Sequence, residues 1–176
     1  MLIGWARGGR LEGLGDASLK GMPLLAAAVA MVLLARGPAT PPAAARVLEG
    51  LGYLAALAVL WRNRSHPWAV VILIGLCLNA LVIALNGGRM PVSGRALAHV
   101  THGMGAQPAA LDARHLIAGP GTRLAQFGDV VPVGAWGIGA ALSPGDLVMA
   151  FGLAGFVQGE MCAGRPRPPT NRRANV

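Results

Sequence analysis

Asn86-Gly87-Gly88-Arg89-Met90-Pro91-Val92-Ser93 divides this chain of 176 residues. Ahead of it the sequence consists of helix-length apolar segments. Behind it lies a long polar region with one more apolar segment near its end. The octapeptide reads as a helix stop followed by a turn. Gly87 and Gly88 allow the positive φ with which many helices end, and Pro91 holds Met90 extended. Arg89 is placed where helix-end carbonyls or lipid phosphates can meet it. A structural arginine at a helix stop is the plainer reading, and a site for a lipid or another anion the sharper one.

The segment that stops here, about 67–85, is the cleanest membrane-span candidate. Ser65 is the expected N-cap. Trp61 and Trp68 flank the turn before it, as in an aromatic belt. Asn79 and Asn86 are seven residues apart and share a helix face. An asparagine in such a helix is expected to hydrogen-bond a neighbouring helix, with a ligand role as the alternative.

Further upstream, 42–61 and the shorter 22–36 are expected as two more spans. Thr40 is the expected cap of the former, with Pro41 at its first helical position. Arg46 and Glu49 share a face of its first turns and suggest an interfacial ion pair. The glycine-rich start, with Trp5, reads as an interfacial arm.

Downstream, 87–142 is too long for a structureless loop in a compact protein. It is expected to fold onto the bundle as an ordered extracytoplasmic connection. Short helices are expected at 93–99, 108–117 and 122–127, with Phe127, Val130, Val131 and Trp136 as apolar anchors. Ser143-Pro144-Gly145-Asp146 then signals a helix start: Ser143 caps, Pro144 suits the first position, and Asp146 closes a capping box. The resulting span, 144–161, carries Gly152, Gly155 and Gly159, a stripe where another helix can approach. Residues 165–176 read as a basic disordered tail, so that 1–164 form the membrane domain.

Composition agrees with a bilayer. Apolar residues make up 54 % of the chain and charged residues 12 %, half of what a soluble domain carries. The net charge is +8, but its basic residues sit between apolar blocks without interleaved aromatics, which argues against nucleic acid. Arg7, Arg10, Lys20, Arg62, Arg64, Arg165, Arg167, Arg172 and Arg173 fall on one side of four spans. Arg36, Arg46, Arg89, Arg95, Arg114 and Arg123 fall on the other. Nine against six puts both termini in the cytoplasm of a multi-pass inner-membrane protein.

The fold expected is therefore all-α, a membrane bundle of about four helices. Few residues offer chemistry. Arg89 with Asp129 or Asp146 is a candidate pair pinning the connection to the bundle. With Asn79, Asn86, Ser93 and Ser143 they make up a candidate polar cluster, for a ligand or for structure. His99 and His102 are one helical turn apart, with His115 nearby, but no cysteine or glutamate completes a metal set. The two cysteines suggest no disulfide framework. No nucleotide-binding, hydrolase or metalloprotease motif occurs, so neither a cofactor nor a catalytic residue is expected.

The octapeptide, with Gly128-Asp129-Val130-Val131-Pro132, Ser143-Pro144-Gly145-Asp146-Leu147 and the early Arg7-Gly8-Gly9-Arg10-Leu11, resembles the marker boxes of an uncharacterised bacterial integral-membrane family. The resemblance covers nearly the whole chain and implies no activity. The role expected is non-enzymatic: an accessory or structural subunit embedded in the lipid bilayer, with membrane-protein partners or further copies of itself. The alternative is an anion- or lipid-binding or transport module with a polar site at the outer membrane surface.

Overall fold

The computed structural model describes residues 19–37, 39–104, 114–135 and 138–163. The amino-terminal arm, Trp136 and the basic tail lie outside them. Leu19–Leu153 form one unit, which holds the helix seams and the cleft described below; from Ala154, within the last helix, the chain is assigned to a second unit.

The chain is mostly helical. Its five helices among the described residues are α1 (Met22–Ala35), α2 (Pro42–Arg62), α3 (Pro67–Leu85), α4 (Gly94–Met104) and α5 (Pro144–Ala163). Two of them, α2 and α3, are long and apolar enough to cross a membrane. α1 has 14 residues, about 21 Å of helix against a hydrocarbon core of about 30 Å. α5 matches the longer helices in length but carries Asp146, Gln158 and Glu160.

Proline starts the three upstream helices, where its missing N–H costs no hydrogen bond. Thr40 does not cap α2, which has no side-chain cap. Its hydroxyl donates instead to the Leu34 carbonyl, 2.7 Å, at the end of α1. Nor does Ser65 cap α3, whose N-cap is His66. The stop of α3 does follow its glycines. Gly87 and Gly88 take φ of 67° and 78°, and the Gly88 N–H reaches back to the Ile83 carbonyl at 2.9 Å, the six-to-one bond of a Schellman end.

The connection after α3 is not all helix. Strands β1 (Met90–Val92) and β2 (His115–Ile117) pair in parallel, Met90 opposite His115, with α4 in the crossover. Strands β3 (Val131–Ala135) and β4 (Ile138–Leu142) form an antiparallel hairpin against which α4 packs. The all-α expectation is corrected here. Of the helix expected over 108–117, residues 108–113 lie outside the described residues and His115–Ile117 form β2; that over 122–127 reduces to a short 3₁₀ turn, Ala125–Phe127. Helix 93–99 appears as α4, with the Ser93 hydroxyl accepting the Ala96 N–H at 3.1 Å.

Glycines set two close helix pairs. In the first, α1 runs antiparallel to α2. A Cβ added at Gly52 would meet Val32 at 2.8 Å and the Ala28 carbonyl at 3.0 Å. The end of this pair where α1 starts and α2 stops is clasped by buried Asn63, which accepts the Lys20 N–H at 2.9 Å and donates to the Lys20 carbonyl at 2.8 Å. In the second pair α3 runs antiparallel to α5. A Cβ at Gly75 would lie 2.6 Å from the Gly145 carbonyl, and one at Gly152 would lie 2.8 Å from Ile72. Trp68 and Phe151 meet edge to face at 5.8 Å in the same seam.

Candidate functional site

Between the two helix pairs lies a cleft of about 680 Å³. Its charged end takes Arg36 from the end of α1, Arg46 and Glu49 from the first turns of α2, and Arg114 and His115 from the start of β2. Leu54 and Leu57, further along α2, give it an apolar end, and Ala80 and Ile83 of α3 line it nearer the turn at Gly88. Arg46 and Leu57 are separated by about 16 Å along α2, three helical turns. Tyr53, Asn79, Asp129 and Asp146 complete the lining.

Two aspartates on this wall have different environments. Asp146 is fully engaged. The Ser143 N–H donates to one of its oxygens at 2.9 Å, and the Asn79 amide donates to the other at 2.8 Å. The Asp146 N–H in turn donates to the Ser143 hydroxyl at 3.0 Å, so the capping box that the Ser-Pro-Gly-Asp spacing predicts is formed. The Ser143 hydroxyl donates to the Asn79 side-chain oxygen at 2.9 Å and closes a three-residue ring between α3 and α5. Ser143 is fully buried and Asn79 nearly so. A Cβ on Gly145 would collide with the Asn79 amide, so glycine is what lets this ring close.

Asp129 is held by its backbone. Its N–H donates to the Pro91 carbonyl at 2.7 Å and its carbonyl accepts the Ser93 N–H at 3.1 Å, a bridge on the open side of β1. Pro91 fits because this bridge uses its carbonyl, and the ladder to β2 uses Met90 and Val92. Gly128 is required beside it, since a Cβ there would strike the Pro91 carbonyl. The Asp129 side chain, 9 % exposed, meets His115 Nε2 at 3.5 Å. Burial pushes its carboxyl from 3.8 up to about 6; His115 opposes the rise and the Asp146 charge adds to it.

The expected polar cluster thus falls into parts. Asn79, Ser143 and Asp146 come together, and Asp129 shares their cleft. Asn86 and Ser93 bond backbone elsewhere. The Asn86 amide donates to the Arg123 carbonyl at 2.8 Å, and its oxygen accepts the Arg123 N–H at 3.0 Å, fastening the loop before the 3₁₀ turn to the end of α3. Arg89 is exposed and pairs with neither aspartate; Asp129 takes His115 in its place. Of the glycine stripe, Gly152 packs on α3, while Gly155 and Gly159 fall on the part of α5 assigned to the second unit. Sequence reasoning did not place Arg36, Arg114 and Tyr53 in a site, and it weighed His115 only with His99 and His102 for a metal. Asn79, Asp129 and Asp146, and the helix face shared by Arg46 and Glu49, did point to this region.

A family model, DUF5317, described as a family of unknown function, matches residues 17–158. No curated protein and no solved structure matches the chain.

Proposed function

The chain belongs to DUF5317, a family of unknown function, and from its own residues we propose that it is a membrane protein that holds an anionic amphiphile in the cleft between its helix pairs. The carrying observation is the polarity of that cleft along its length. Arginines 36, 46 and 114 stand at one end, and Leu54 and Leu57 lie about two to three turns further along α2. A charged head and an apolar tail match such a gradient, and about 680 Å³ lies within the range of small-molecule sites.

Membrane insertion is part of the reading. An apolar helix at the centre of a soluble protein is mostly buried, whereas 17 % of the apolar window of α2 and 28 % of that of α3 is buried. Leu33, Leu34, Leu81 and Phe151 are at least half exposed and would face lipid. α1 and α5 complete a four-span, inner-membrane bundle in this reading. Lys20 and Arg36 flank the short α1 and snorkel to the two surfaces. Both termini lie in the cytoplasm and the cleft opens outward.

The test is purification in mild detergent followed by mass spectrometry of intact complexes. One bound anionic lipid per chain is expected, with loss of most of it in an Arg36→Ala, Arg46→Ala double variant. A chain with no bound lipid, and no uptake of added phosphatidylglycerol, overturns the reading. The second reading is an accessory subunit of a larger membrane complex. It rests on the same exposed apolar faces, which partner helices would cover as well as lipid does. A stoichiometric membrane-protein partner in the same experiment would favour it.

A further inference from the structure

We propose that the cleft takes up its anion together with a proton, and that Asp129 is the group that accepts it. The inference rests on the amphiphile reading above and specifies how that site is regulated.

Two aspartates line the cleft, buried Asp129 and half-buried Asp146, and they are not equivalent. Both oxygens of Asp146 receive hydrogen bonds, from Ser143 and from Asn79, within the cap of α5. Protonating Asp146 would break a helix cap, so it is the structural member. Asp129 has its backbone clamped by Pro91 and Ser93, while its carboxylate has one partner, His115 Nε2, at the long distance of 3.5 Å. A proton can therefore be added there without dismantling any element. The carboxylate is walled by β1, β2 and the Gly128 turn on one side and open to the cleft on the other.

The charges facing it sharpen the effect. α1 contributes Arg36, α2 contributes Arg46, Glu49 and Tyr53, β2 and the residue before it contribute His115 and Arg114, and α5 contributes Asp146. Leaving His115 aside, three arginines balance three carboxylates while Asp129 is ionised. An incoming anion then gains little from them. Protonation of Asp129 leaves a net positive charge in a partly dry site, where one unit charge acts strongly on another. By linkage, whatever the proton does to anion affinity, the anion does to proton affinity. The position of the Asp129 carboxyl, near 6, places this exchange close to neutral pH.

The experiment uses the full chain in nanodiscs, titrated calorimetrically with dihexanoylphosphatidylglycerol, a phosphodiester whose single charge is constant between about pH 5 and about pH 8. Measurements in buffers of different ionisation heat count the protons taken up. The inference expects binding roughly tenfold tighter at about pH 5.5 than at about pH 7.5, and with it an average uptake of about half a proton per lipid over that range. Asp129→Asn should bind at the acid-form affinity at both values and take up no proton. His115→Gln, which removes the group that opposes the rise, should move the transition to higher pH and provides the test should Asp129→Asn not fold. Lipid binding without proton uptake in the wild type, or an unchanged pH dependence in Asp129→Asn, overturns the inference and leaves the amphiphile reading standing. No binding by the wild type at any pH overturns that reading itself.

Discussion

Asn79 shows how much one polar side chain can decide. It lies in the middle of an apolar helix, where leaving an amide without partners is costly. The structure gives it the Asp146 carboxylate and the Ser143 hydroxyl, and so ties α3 to the cap of α5. Asn79→Ala removes a donor from one buried group and an acceptor from the other. It is expected to destabilise the fold by about 1–3 kcal/mol, read as a lowered midpoint of thermal unfolding in detergent. Combined with Ser143→Ala the loss should be less than the sum, because the two share one ring. Asp129 makes a prediction of the opposite kind. Its folded-state carboxyl is raised to about 6 from 3.8, so between these values the folded protein holds a proton that the unfolded chain has lost. Its contribution to stability is present below about pH 4 and falls as pH rises through about 6. Lowering pH from about 7 to about 5 should therefore stabilise the protein by on the order of 1–2 kcal/mol from this group. Asp129→Asn should be more stable at neutral pH and lose that dependence.

Among the elements, the glycines of the helix seams have distinct jobs. Gly52 lets α1 reach α2, and Gly75 lets α3 reach α5, each with a neighbouring backbone within 3.0 Å of where a Cβ would stand. Such contacts tolerate no side chain, because the obstacle at Gly75 is the backbone of α5 rather than a movable side-chain end. Gly75→Leu should separate α3 from α5, with a loss of several kcal/mol. Gly50→Leu, at a position with open space around it, should cost little. The two variants, compared by thermal unfolding, separate a packing requirement from mere helix propensity. Gly87 and Gly88 serve another purpose. Both have open space, and both have positive φ, so their constraint is the backbone turn out of α3.

For the whole molecule, the proposed orientation follows from basic residues counted over the loops. Lys20, Arg62 and Arg64 lie at one end of the helix pairs, and Arg36, Arg46, Arg114 and Arg123 at the other. The flanking basic segments beyond the described residues tip the balance toward the first end. An alkaline phosphatase fused at the carboxyl terminus should be inactive and one inserted at Gly119 active; the reverse pattern would place the cleft on the cytoplasmic side.

The helices were legible in the sequence because each signal for them is local. Apolar runs of 14 to 21 residues, prolines at helix starts, and the glycine pair after Leu85 act within a few residues of the element they define. The Ser143–Asp146 box was legible for the same reason, being closed within one helical turn. Thr40 marks where even local reading failed, since its hydroxyl had two helix ends within reach and served the earlier one. The strands and the cleft depend on pairings that no local spacing records. β1 meets β2 across a crossover more than twenty residues long, and it is this register that brings His115 to Asp129. The sequence alone determined that apolar helices form and where they end. Only the tertiary structure decided which charges share a cleft, because electrostatic neighbours are chosen by packing at glycine seams and by strand register, between residues distant along the chain.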